Sequence, residues 1–64
     1  MLNLTSADAR ALVIAAYPDA DMVSYNEPDT RNEIYATVNG RNDLIGMGWG
    51  SSAWIHAANN LAKV

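Results

Sequence analysis

Thr37-Val-Asn-Gly-Arg-Asn-Asp-Leu-Ile-Gly-Met-Gly-Trp-Gly-Ser-Ser-Ala-Trp-Ile-His-Ala-Ala-Asn-Asn-Leu61 reads as the end of a strand, a turn, a second strand, a glycine-spaced bend and a helix. Asn39-Gly40 is the pair that a tight hairpin with two left-handed residues requires. Gly46, Gly48 and Gly50 let the backbone bend and come close to a neighbour. Ser51 or Ser52 then offers a helix cap. Trp54, Ala57, Ala58 and Leu61 recur at the spacing of one buried helical face.

The first half supplies the remaining elements. Thr5 followed by Asp8 resembles a capping box, and Asp8 also lies at the positive end of the helix dipole. Ala9, Leu12, Val13 and Ala16 predict the buried face of a first helix. Pro18 ends it, because the residue before a proline is driven out of helical geometry. Met22 to Asn26 alternates as a short strand, and Glu33 to Val38 is a stronger one. In the latter, Ile34, Ala36 and Val38 point one way, Tyr35 and Thr37 the other. Leu44 to Met47 is the expected third strand. The order is α-β-β-β-α: an α+β domain with a three-stranded antiparallel sheet and both helices packed on one face. At 64 residues the chain, 1–64, is a single domain, burying only roughly 60% of its unfolded surface.

The net charge is −3, unevenly placed. Asp19, Asp21, Glu27, Asp29 and Glu33 fall within one segment against Arg31 alone. Three Arg and one Lys are few for holding a polyanion, since phosphate binding rests on cations that release counterions. An acidic segment attracts basic protein surfaces instead. From Ser51 to Ala62 there is no charged residue, a depletion typical of interface cores. Ser52, His56, Asn59 and Asn60 form the expected outer face of that helix, with Ile55 at its edge. Pairing of this helix with its own copy is one expectation.

Other chemistry finds little support. His56 is the sole histidine and there is no cysteine, so neither a zinc set nor a histidine triad is nominated. Asp19, Asp21, Glu27 and Asp29 lack the ligand order and glycine of a calcium loop. The Gly46-x-Gly48-x-Gly50 spacing lacks the lysine of a phosphate loop. No catalytic activity, cofactor or metal is expected. The apolar run Ala9 to Tyr17 is too short to span a bilayer, and the first residues lack the basic start of a signal peptide, so a cytoplasmic setting is expected.

The chain resembles the double-stranded RNA-binding domain in order and length. Glu27-Pro28-Asp29-Thr30 falls where that family has a Gly-Pro-x-His loop. Val38-Asn39-Gly40 resembles its second hairpin, Gly46-Met47-Gly48-Trp49-Gly50 its glycine entry, and Ala57-Ala58 its alanine pair. The resemblance implies the fold. The family's phosphate-gripping lysines have no counterpart: those places hold Ser51, Ser52 and Ile55, or Ala53, Trp54 and Ala57 in the shifted frame. In size and acidity the chain is also similar in type to phage anti-CRISPR proteins. The expected function is therefore non-catalytic binding of a protein with a basic surface, as in a phage inhibitor acting in its host's cytoplasm. Asp19, Asp21, Glu27, Asp29 and Glu33 would supply charge, and Trp49 and Ile55 anchoring area. The alternative is a residual RNA-binding module using Arg31, Arg41 and Lys63.

Overall fold

The computed structural model describes residues 4–25 and 27–62. Helix α1 spans Ser6–Ala16, strands β1, β2 and β3 span Asp21–Val23, Asn32–Val38 and Arg41–Gly48, and helix α2 spans Ser52–Ala62. The strands form one antiparallel sheet in the order β1-β2-β3. This is the α-β-β-β-α architecture predicted from the pattern of turns and periodicities.

Local chemistry sets the element ends. The Thr5 hydroxyl accepts from the Asp8 backbone N–H at 3.2 Å, satisfying one orphan donor of α1. The helix stops at Tyr17, whose N–H still reaches the Val13 carbonyl at 2.7 Å before Pro18 turns the chain. Asn39 and Gly40 have φ of 53° and 80°, the two left-handed residues of the β2–β3 hairpin.

Three expectations are corrected. The first strand is shorter than Met22 to Asn26, covering Asp21–Val23; Asn26 lies outside the described residues. The third strand runs through Arg41–Gly48 rather than Leu44 to Met47, because the hairpin lets the polar Arg41, Asn42 and Asp43 pair fully with β2. Gly46 and Gly48 are therefore strand residues and not a bend; of the three spaced glycines only Gly50 has positive φ, at 56°.

On α1, Ala9 and Val13 are fully buried, but Leu12 and Ala16 are exposed. The reason is geometric. α2 covers the sheet, and α1 packs chiefly on α2, which hides only a narrow stripe. Small Ala9 faces Ala53, Trp54, Ala57 and Ala58 in the same buried cluster. Arg10 lies over the Trp54 ring, 5.6 Å from its centroid.

The inner face of the sheet carries the rest of the core. Asn32, Ile34 and Ala36 of β2 are buried, and Met22 of β1 packs against the cluster opposite Ile34. A bulge between the partners of Ile34 and Tyr35 adds one residue, Ile45, to β3. The shift lets Ile45 pack on the core while Leu44 before it stays exposed.

Helix α2 lies hard against β3. A Cβ on Gly46 would fall 2.6 Å from the Ala57 Cβ, and one on Gly48 would fall 2.9 Å from the Ser52 Oγ. Bare glycine backbone is what permits this approach. The expected outer face of α2 is partly turned inward. His56 Nδ1 accepts from the Met47 N–H at 2.9 Å, and Asn60 Nδ2 donates to the Ile45 carbonyl at 3.0 Å. These two side chains, one helical turn apart, occupy backbone groups of a strand at the end of the sheet order. Such groups otherwise invite pairing with another chain.

Candidate interaction surface

With both helices on one side, the other face of the sheet is uncovered. Cross-strand partners point to the same face, so the register assigns this surface. β1 contributes Asp21 and Val23; β2 contributes Glu33, Tyr35 and Thr37; β3 contributes Asn42, Leu44 and Met47. A solvated sheet face is normally polar. Here Val23 is 40% exposed, Leu44 46%, and Tyr25, just past β1, 41%. Tyr35 and Met47 are half-buried. Trp49, directly after β3, is 56% exposed, the largest exposure among the big apolar side chains described. Among the described strand residues no lysine or arginine belongs to the face; Arg31 stands two positions before Glu33, just ahead of β2.

Glu33 lies on the central strand of this face, near the end where β1 stops. Val23 is its partner on β1 and Met47 its partner on β3. The Tyr25 hydroxyl donates to Glu33 Oε1 at 2.6 Å. That bond, then partial burial, raises the Tyr25 phenol above its ordinary value. Tyr35 is raised as well, by burial first and then by hydrogen bonding to Glu33. The carboxylate is thus held by the Tyr25 phenol.

The residues expected to bind a partner fall in different places. Asp21 and Glu33 share the open face, with Asp21 opposite Tyr35. Glu27 and Asp29 are exposed on the β1–β2 connection, where Glu27 Oε2 accepts from the Thr30 hydroxyl at 3.2 Å. Asp19 is committed within the fold: its carboxylate accepts from the Thr37 N–H at 3.1 Å and from the Thr37 hydroxyl, which lowers its pKa. Trp49 is exposed, whereas Ile55 is half-buried on α2 and packs against the core, on the covered side of the sheet. Val23, Tyr25, Tyr35, Leu44 and Met47 were not nominated by the sequence. The alternation of Glu33, Tyr35 and Thr37 in β2 was the available signal, since it puts a ring on the face turned from the core.

Among the described residues the arginines do not gather. Arg31 and Arg41 lie near opposite ends of β2, roughly 20 Å apart at the rise of an extended chain. Arg10 is on α1 over Trp54, and Lys63 lies outside the described residues. A groove of about 290 Å³ runs between β3 and the end of α2, walled by Val38, Leu44, Ile45 and Leu61, with Asp43 as its one carboxylate. Among the described residues, no group of three or more His, Cys, Asp or Glu could hold a metal ion, and no helix is long and apolar enough to cross a membrane.

Compared with known proteins, the chain matches no family model, no curated protein and no solved structure.

Proposed function

We propose that this chain is a non-catalytic binding module whose uncovered sheet face docks on a protein with a basic surface. The observation that carries the reading is the composition of that face: exposed Val23, Tyr25 and Leu44 around Asp21 and Glu33, with no cation among them. Apolar patches of this kind mark interaction sites on small soluble domains. Two carboxylates without a cation make the complementary partner a positively charged one. Glu27, Asp29 and Trp49 extend the contact at its margins. A basic groove covered in this way is closed to nucleic acid. The likeness in size and acidity to phage anti-CRISPR proteins supports an inhibitor of a host defence complex as the setting.

The test is capture on the immobilised chain, with retained proteins identified by mass spectrometry. The expected species is a basic nucleic-acid-handling protein that nucleic acid displaces. Reversing Asp21 and Glu33 together to lysine should lower its capture about tenfold at low salt and less at high salt. Val23→Asp with Leu44→Asp should abolish capture at either. Undiminished capture by both folded variants would end the reading. Retention of duplex RNA at low salt, lost with Arg31→Ala and Arg41→Ala, would favour the nucleic-acid alternative.

A further inference from the structure

We infer that the open face reads an arginine side chain of its partner, seated on Glu33 between the rings of Tyr25 and Tyr35. This rests on the proposed docking of that face and names the group it recognises. Three observations converge. Glu33 is a carboxylate on the central strand of the open face, flanked across the strands by apolar Val23 and Met47, with Asp21 one row away. Its position is fixed by the 2.6 Å bond from the Tyr25 hydroxyl. Two aromatic residues neighbour it, Tyr35 at the next position of its own face and Tyr25 two residues past β1.

A carboxylate has about four acceptor positions, and the Tyr25 hydroxyl fills one. The remaining capacity admits the paired N–H groups of a guanidinium. Phenol faces provide a surface on which that flat cation stacks. Lysine presents a compact, strongly hydrated charge that neither forks nor stacks, so the cradle discriminates between the two. The neighbouring Val23, Leu44 and Met47 exclude water once a partner is seated, which strengthens a charged contact among them. Holding the carboxylate in advance also spares the ordering cost of binding.

The experiment titrates the full chain with a capped hexa-arginine peptide and with its hexa-lysine counterpart, following amide shifts by NMR at low salt. The arginine peptide should bind about fivefold tighter or more, with the largest shifts at Glu33, Tyr35 and Met47. Glu33→Gln should weaken the arginine peptide about tenfold and bring the two peptides level. Asp8→Asn removes the same charge from α1, on the other side of the molecule, and should cost less than about twofold. Circular dichroism checks the fold of each variant; if Glu33→Gln is unfolded, Glu33→Asp, which draws the carboxylate away from Tyr25, serves in its place with the same expectation. Equal binding of the two peptides by the unaltered chain overturns the inference, as does an equal loss in Glu33→Gln and Asp8→Asn. If the peptides bind alike while Val23→Asp with Leu44→Asp still abolishes partner capture, the docking face stands and only the arginine assignment falls. If capture survives that pair of substitutions, the face is lost and the arginine with it.

Discussion

Two polar side chains complete what a short strand leaves unfinished. β1 pairs with β2 through only three residues, and the N–H groups of Tyr25 and Thr37 lie just beyond that pairing. Asn32 Oδ1 accepts from the Tyr25 N–H at 3.1 Å, and the Asp19 carboxylate accepts from that of Thr37. Asn32 is itself buried, and its Nδ2 donates to the Gly50 carbonyl at 3.1 Å, tying the end of β1 to the entry of α2. Asn32→Ala would strand a donor and an acceptor, so a loss of about 1–3 kcal/mol is expected in urea unfolding. Asp19 adds a pH dependence. Its folded pKa is depressed by the Thr37 bonds, so its stabilisation is full above the ordinary aspartate range and is lost as pH falls through the lowered value. Asp19→Asn should flatten the acid limb of stability measured between about pH 6 and pH 2. Neither role was legible beforehand. Asn32 and Asp19 look like ordinary loop residues in sequence, and their partners stand 18 positions away.

Among the elements, the contact of α2 with β3 decides most. Gly46→Ala would force a Cβ to within 2.7 Å of the Ala57 Cα, a backbone atom that cannot swing aside. A loss of about 2–3 kcal/mol is expected, since overpacking must push the helix off the strand. Gly40→Ala is the control: it meets open space and carries only the strain of φ +80°, about 1–2 kcal/mol. Thermal and urea unfolding of the two variants should therefore differ in size, and equal losses would refute the packing explanation. Most elements were legible from Thr5, Pro18, Asn39-Gly40 and the alternation in β2, because these act through neighbours in the chain. The meaning of the charge-free helix was not. His56 and Asn60 of that helix hold the chain's own β3, through bonds that only the tertiary fold brings into reach. Leu12 was misplaced for the same reason: periodicity gives a face, and the width of what covers it comes from tertiary packing.

The whole molecule is a slab of 31 × 28 × 17 Å, with helices on one broad side and the ring-bearing sheet on the other. One tryptophan belongs to each regime: Trp54 is 6% exposed within the helix-covered core, and Trp49 is 56% exposed beyond β3. In acrylamide quenching, Trp49→Phe should remove most of the quenchable emission, and Trp54→Phe should leave it. Nearly equal quenching of the two variants would contradict this burial pattern. The chain consequently carries two built-in optical reporters needing no dye. Emission from Trp54 follows unfolding, and shielding of Trp49 follows capture by a partner, so loss of structure and loss of grip can be told apart in one cuvette.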